Sequence, residues 1–471
     1  MLRARSLLLV VATAALVPLL TGCDPARSTI IRADDPVVLT GSALPRLRGR
    51  VPSRIVAFRV TAEGAWQQVP VQVDERAVVD FGAAPSSNTT AGTVGTVYGG
   101  PPIGVRALQY TDAGTFTGAD PNPAFDDDDE LVFMASDLGG SAPSGDPAGV
   151  VGGSGVQVTV TDPLDEDAAG WLYLYESAGS LQPGAGRSYV TYDFRLTSGA
   201  YRTTYKRADG PNPENSTIST ARYAHHFGDR WLDDQLVVRA GNSTRVDVLD
   251  RHKSRLVPGE CGRSENTFND AEGAFVVNKS GPVRAVRSYV GANSGPLTQR
   301  THLFYAGRHV VLTDLRVHAI PGVVDYFDYS AAASGMRYAN DRNRSGVVVD
   351  GQPDTLTAGR QNWELLAGSQ GSIIQTHWTD TNISNLPVTN YYLDDSTPSE
   401  AQCTGDASSY GASGQWINGT IADTDPRSGT TNVLRARRSL TYLAPGATAG
   451  DADLAWQRSV YGLAVTARNR S

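Results

Sequence analysis

Apolar and polar residues alternate along short runs in this chain, and each run ends in glycine, proline, serine or asparagine. That is the pattern of half-buried strands joined by turns. Gly155 to Asp162 carries it most clearly, with Val156, Val158 and Val160 set against Gln157, Thr159 and Thr161. Ser53 to Val60, Gln68 to Val73, Glu130 to Met134 and Gly170 to Tyr175 read as further strands, and the Gly/Ser/Thr-rich stretch from Gly82 to Pro102 reads as a long surface loop. A second Gly, Ser and Pro-rich stretch, Ser177 to Arg187, marks a boundary between domains. Beyond it, strands are expected at Tyr189 to Leu196, Gln235 to Ala240, Thr244 to Leu249, Ala274 to Asn278, Val283 to Tyr289, Thr301 to Tyr305 and His309 to His318. Only Asp451 to Tyr461 has the spacing of a short helix, and no fixed repeat argues for a propeller or solenoid. The pattern therefore predicts an all-β protein, with an N-terminal β-sandwich over 36–178 and a larger two-sheet sandwich over 188–471.

The first residues follow another rule. Arg3 and Arg5 precede an apolar run from Leu7 to Leu20, which is the shape of a secretory signal and too short to span a bilayer comfortably. The run ends in Leu20-Thr21-Gly22-Cys23, which resembles the lipobox of bacterial lipoproteins. The resemblance implies that residues 1–22 are removed and that Cys23 carries diacylglycerol and often a further acyl chain such as palmitate. Residues 23–35 then serve as a polar tether, and the folded body faces outward from the cell membrane, anchored by lipid without a spanning helix.

Composition narrows the partners. Charged residues make up only 19% of the chain, the formal net charge is −8, and Lys206, Lys253 and Lys279 are the only lysines. No basic stripe with interleaved aromatics appears, so nucleic acid is not an expected partner. Apart from Cys23 the only cysteines are Cys261 and Cys403, an even pair for an oxidising compartment. They are expected to form a disulfide, which in the chain-entropy model contributes about 4 kcal/mol for so long a loop. The sequons at Asn88 and Asn418 are read as unmodified, since the signal is of bacterial type.

Several phrases resemble a family of exported bacterial β-sandwich proteins whose C-terminal domain is similar to the galactose-mutarotase-like supersandwich. They are Val69-Pro70-Val71-Gln72-Val73-Asp74-Glu75-Arg76, Asp128-Asp129-Glu130-Leu131-Val132-Phe133-Met134-Ala135 and Gly281-Pro282-Val283-Arg284-Ala285-Val286-Arg287. Arg316 to Gly322 and Tyr442 to Gly446 are also similar. The resemblance implies a fold shared with many polysaccharide lyases and glycosidases, but it carries over no catalytic residues, and fold alone does not give function.

Three clusters could carry chemistry. Asp126 to Glu130 is the densest run of charge, with Asp120 and Asn122 before it and Asp137 after it. Alternate side chains, Asp126, Asp128 and Glu130, can aim at one point and hold Ca²⁺, which takes six to eight oxygens; the other reading is a solvated acidic turn. The second cluster runs from Tyr223 through His225, His226, Asp229, Arg230 and Trp231 to Asp233 and Asp234. Neighbouring histidines on a strand point to opposite faces, so they suit catalysis better than a shared metal. Tyr223, His226 and Arg230 have the types a lyase needs to abstract a proton and neutralise a sugar carboxylate; a polar loop with structural histidines is the alternative. The third comprises His302, Tyr305, Arg308, His309, Asp314, Arg316 and His318, of which Asp314, Arg316 and His318 share parity. Trp363, Trp378, Trp416 and Trp456, with Tyr326, Tyr329, Tyr391 and Tyr392, are candidates for sugar-stacking platforms as well as for core.

There is no Gly-x-Ser-x-Gly elbow, His-Glu-x-x-His motif, P-loop or dinucleotide glycine pattern. Two readings stay open: an enzyme on extracellular polysaccharide, a lyase or glycoside hydrolase, and a non-catalytic surface protein that binds glycan or another envelope component.

Overall fold

A computed structural model of the protein describes residues 27–83, 85–86, 92–93, 105–197, 214–228, 232–256, 273–291, 297–403 and 405–470. The signal, Cys23, Arg230, Cys261 and most of the Gly82 to Pro102 stretch lie outside the described residues. Within them the protein is almost entirely antiparallel β-sheet, with one helix at Ala449–Val460. No helix among the described residues is long and apolar enough to cross a membrane.

The first module places a five-stranded sheet against a three-stranded one. The five-stranded sheet runs Ala464–Asn469, Val156–Asp162, Asp165–Glu176, Ile55–Val60, Trp66–Val69, and the three-stranded sheet runs Pro36–Thr40, Glu130–Met134, Gln72–Asp74. The alternation read at Val156 to Asp162 is real: Val156, Val158 and Val160 are buried and join Ile55, Ala57, Leu131, Phe133, Leu172 and Leu174 in one core. The stretch expected as a single strand from Gln68 to Val73 is divided at Pro70 between the two sheets. Proline has no N–H to continue a ladder, so the chain changes sheets there.

The larger module is a two-layer sandwich. One layer is a nine-stranded sheet in the order Gly273–Ser280, Ala285–Gly291, Gln299–Phe304, Arg308–Asp314, Leu434–Leu443, Gly371–Thr381, Trp363–Gly368, Arg337–Asn340, Asn343–Val348. The other consists of two four-stranded sheets. The first is Val190–Asp193, Asn215–Thr220, Tyr223–Gly228, Leu232–Val238, and the second is Leu249–Arg255, Val323–Tyr329, Ser409–Ile417, Val388–Asp395. Ile218, Phe227, Leu236 and Phe327 of this layer pack onto Val286, Phe304, Val311, Ile373, Leu440 and Tyr442 of the nine-stranded sheet. The run from Thr244 to Leu249, expected as a strand, is irregular up to Leu249. Arg245 turns left-handed at φ 59°. One oxygen of Asp247 accepts the N–H groups of Leu236 and Leu249, replacing ladder bonds with a side-chain link between the two small sheets.

The helix is close to its expected place. Thr448 and Asp451 form a capping box at its start, and Ala452 packs on Trp363, Leu365 and Ile374. The chain then leaves the larger module. Ala464–Asn469 pairs antiparallel with Val156–Thr161, so the division of sheets is not the division 36–178 and 188–471 expected from the linker composition.

Between the modules lies a knot of buried charge. Arg284, 1% exposed, donates from Nε to Asp74 at 2.7 Å, from Nη2 to Glu130 at 2.7 Å and from Nη1 to the Tyr305 hydroxyl at 3.0 Å. Arg76 binds the other oxygen of Glu130 at 2.7 Å, and Lys279 lies 3.2 Å from Asp74. Burial alone would raise the Asp74 carboxyl, but the charges of Arg284 and Lys279 hold it below the usual range. Gln72 accepts the backbone N–H groups of Val283 and Arg284 through one oxygen. Gly281 leaves room for that carboxamide, since a Cβ there would sit 2.1 Å from the oxygen and displace it from the two N–H groups.

Replacing Arg284 by Met leaves Asp74 and Glu130 without their shared cation, and removing one member of a buried charge network typically costs about 3–5 kcal/mol. The urea midpoint of Arg284→Met is expected to fall accordingly, with part of the loss recovered on adding Asp74→Asn. A midpoint within error of the wild type would mean that the junction contributes nothing.

Candidate functional site

Among the described residues, clustered chemistry is found on the strand with the paired histidines, in the polar layer inside the larger sandwich, in the acidic loop, and in a groove at one end of the nine-stranded sheet.

On Tyr223–Gly228, His225 and His226 face opposite ways, as their adjacency requires. His225 is buried, with Nδ1 3.0 Å from both oxygens of Asp233 and Nε2 2.8 Å from the Tyr442 hydroxyl. His226 lies on the other face, 2.5 Å from Asp234 and 2.7 Å from Asn215. Tyr223 shares the buried face with His225, stacks on Tyr442 at 4.1 Å and donates its hydroxyl to the carbonyls of Tyr305 and Arg308 at 2.8 and 3.0 Å. Burial drives its phenol well above the ordinary tyrosine range. A phenol in that setting is a structural donor and not a base. Tyr223 and His226 are therefore not brought together, while Arg230 lies outside the described residues. Parity separates the two that can be seen.

The polar layer inside the sandwich was largely missed. His302 and His309 do meet, Nδ1 to Nε2 at 2.9 Å, although their seven-residue spacing gave no sign of it; the hairpin register sets them diagonally on one face. Around them are His252, Ser254, Arg300, Asp325 and Arg438, none singled out from the sequence. One oxygen of Asp325 lies 2.8 Å from His252, 2.9 Å from Arg438, 3.0 Å from Ser254 and 3.3 Å from Arg300. Burial, then the charge of Arg300, pushes His252 down to about 3, and His302 and His309 are held well below the ordinary histidine range mainly by burial. The cations around Asp325 hold its carboxyl ionised despite that burial. The cavity beside Ser254, Arg300, Asp325 and Gln415 measures about 20 Å³, the space of a water molecule and not of a sugar ring.

The acidic loop gathers, but with a different membership. Asp126, Asp128 and Asp129 each present an oxygen, all within 4.8 Å of one another. Glu130, expected as the third ligand, is instead held by Arg76 and Arg284 and accepts the Tyr110 hydroxyl at 2.7 Å. The alternation that would have aligned Glu130 fails because the strand begins only at that residue. Asp129 is fully buried and takes the backbone N–H groups of Arg76 and Asp126. Burial, then Asp126, pushes Asp128 up to about 6, and Asp120 adds to the negative field felt by Asp128, Asp129 and Glu75.

Asp314 and Arg316 line the fourth place. A groove of about 680 Å³ runs past Arg106, Asp314, Arg316, Asp380, Asn432 and Arg435. Arg435 donates to Asp314 at 2.8 Å, whereas His318 is exposed and outside the lining. The proposed stacking platforms are largely occupied: Trp363 is buried beneath the helix, Trp378 lies 4.4 Å from Trp456 with Arg437 over it, and Tyr326 packs on Tyr391.

The sheets and their packing make this an all-β protein of sandwich type. Neither a protein-family model nor a curated protein matches the sequence. Among solved structures, one described as "Putative aldose 1-epimerase" from Escherichia coli K12 is similar, with 12% sequence identity and a TM-score of 0.27. The similarity covers 54% of this chain and 100% of that one.

Three interior histidines, His252, His302 and His309, link stability to pH. Their folded pKa lies below the unfolded value of about 6.5, so the unfolded chain binds more protons and stability falls as pH drops from about 6.5. Asp137 and Asp328, pushed up to about 6 chiefly by burial, act in the opposite sense. The difference between wild type and His302→Phe isolates the histidine contribution. Between pH 7 and 5 the variant's unfolding free energy is expected to lose about one proton of slope relative to wild type. Parallel curves from urea titrations across that range would refute the assignment.

Proposed function

We propose that this is an extracytoplasmic protein, held at the cell membrane by lipid on Cys23, that binds glycan through the groove at the end of the nine-stranded sheet without cleaving it. The observation that carries the reading is the contrast between that groove and the interior. The groove is open and lined by guanidinium, carboxylate and carboxamide groups, the types that bond to the hydroxyls of a polar polymer. The histidine, arginine and aspartate layer is enclosed, with room for a water molecule at Asp325. Catalysis needs an acid or base that can reach its substrate. Tyr223 is committed to two carbonyls. A Cys261 to Cys403 disulfide would suit the same compartment and is part of the reading.

Two measurements test it. The Cys23→Ser variant, expressed in a bacterial host, is expected to move from the membrane fraction to the soluble extracytoplasmic fraction; continued membrane retention would remove the lipid anchor from the reading. The body from Asp24 onward is expected to be retarded in gels containing a bound polysaccharide. Asp380→Ala and Asn432→Ala should weaken that retardation at least about tenfold, the scale of losing one or two hydrogen bonds to ligand. New reducing ends or unsaturated sugar products from the wild type would favour the lyase or hydrolase reading instead.

A further inference from the structure

The sheet that contains Leu249–Arg255 and Val323–Tyr329 holds a buried amine against a buried carboxyl. These strands pair antiparallel, with Arg251 opposite Asp328 and Lys253 opposite Tyr326, so Lys253 and Asp328 are diagonal neighbours. Phe327 points into the core of the sandwich, and Asp328 beside it therefore points to the other face. The two side chains are 1% and 0% exposed, with Nζ of Lys253 2.5 Å from Oδ2 of Asp328. The same Nζ lies 3.3 Å from Oδ2 of Asp250. The other oxygen of Asp328 accepts the Ser409 hydroxyl at 2.9 Å, and the other oxygen of Asp250 accepts the backbone N–H of Asp406 at 3.1 Å. Gly405 lies against Asp250, where a Cβ would meet its Oδ2 at 2.0 Å.

The residue type matters here. Arginine supplies nearly every cation in the chain, and Lys253 is one of three lysines. The buried pairs Arg284 on Asp74, Arg287 on Glu214 and Arg32 on Asp162 all use a guanidinium. A guanidinium stays charged and is no nucleophile, whereas an amine that has given up a proton is one. An ion pair in this place bears the cost of desolvating both charges, and an amide between the same two groups bears no charge at all. Burial raises the carboxyls of Asp328, to about 6, and of Asp250, which brings their acid forms closer to neutral pH.

We infer that Lys253 and Asp328 condense into an intramolecular isopeptide bond, with Asp250 carrying the proton and Ser409 holding the carbonyl oxygen. A proton first moves from the Nζ ammonium to Oδ2 of Asp328, leaving an amine beside a carboxylic acid. The Nζ lone pair attacks Cγ, and the C=O electron pair shifts onto Oδ1, where the Ser409 hydroxyl donates. Asp250 takes a proton from the nitrogen and delivers it to Oδ2. The Cγ–Oδ2 bond then breaks, the C=O bond re-forms, and one water leaves. Nothing is oxidised or reduced, and no co-reactant is needed. The paired strands hold the amine on the carboxyl, which gives condensation within the chain an advantage that free side chains in water lack. Enclosure keeps bulk water from the product. The bond ties side chains 75 residues apart and survives in reducing surroundings. Once it has formed, neither group titrates. The inference stands apart from the glycan reading and from the lipid anchor.

The test is a tryptic digest of the full chain, incubated at neutral pH, then reduced and denatured, and read by mass spectrometry. Trypsin does not cut at an acylated lysine. The expected product therefore joins residues 252–255 to residues 317–337 and is lighter than the two peptides by one water, with fragmentation placing the link at Lys253 and Asp328. Separate peptides with cleavage after Lys253 would overturn the bond, and a link from any other lysine to Asp328 would overturn the site. Lys253→Arg keeps a buried cation and is expected to abolish the joined product. Asp250→Ala leaves both reactants in place and should slow the appearance of the product after synthesis by about a hundredfold or more, the scale of losing a proton carrier. Linkage as fast as in the wild type would overturn the role of Asp250. Circular dichroism checks that both variants fold, and the wild-type digest decides the bond whether or not they do.

Discussion

The arrangement of the molecule depends on a guanidinium buried between two sandwiches. Arg284 comes from the larger module and Asp74 and Glu130 from the smaller, and no water-filled gap separates them. Desolvating three charges is unfavourable unless each finds its partner in good geometry. Here each does, and the flanking cations Arg76 and Lys279 complete the set. Such a knot tolerates little sliding between modules, since a small displacement would leave ions unpaired in a low dielectric. The relative placement of the sandwiches is thereby fixed by direction-dependent bonds, where apolar contact alone would allow a range of placements.

The larger module repeats the device inside itself. Its two layers are joined by oil-like packing around Phe227, Phe304 and Leu440, and also by Arg287 on Glu214, His225 on the Tyr442 hydroxyl, and the cations on Asp325. Polar side chains on the inner face of a sheet usually attract a catalytic interpretation. Here most of them pair with one another, although His302 Nε2 and His309 Nδ1 find no hydrogen-bond partner, and burial disfavours the charged form of His252, His302 and His309, so the network specifies how the layers meet. Among the described residues, the groove and the acidic loop turn polar groups outward.

Strand positions were legible because alternation is a local property: Val156, Val158 and Val160 declared their face without help from the rest of the chain. What the sequence could not reveal was convergence. His302 and His309 meet through a hairpin register, and Asp325 collects partners from three other strands, none within twenty residues of it in the chain. Three phrases far apart in the sequence meet in one place. Gln72, Asp74, Arg76, Glu130, Gly281 and Arg284, scattered over two hundred residues, are the parts of the one junction. Strand parity aims Asp126, Asp128 and Glu130 at one point, whereas the oxygens that gather belong to Asp126, Asp128 and Asp129, because the backbone before Glu130 is still a turn.

The return of Ala464–Asn469 to the edge of Val156–Asp162 bears on how the protein is made. During synthesis, the first sandwich emerges some three hundred residues before the strand that finishes its sheet. Until then Val156–Asp162 is an open edge, the feature by which sheets recruit foreign strands. The nascent module must therefore wait, shielded or unfolded, for the far end of its own polypeptide. Once closed, the two modules are interlaced, so that a single proteolytic cut between them would nick the molecule without separating its halves.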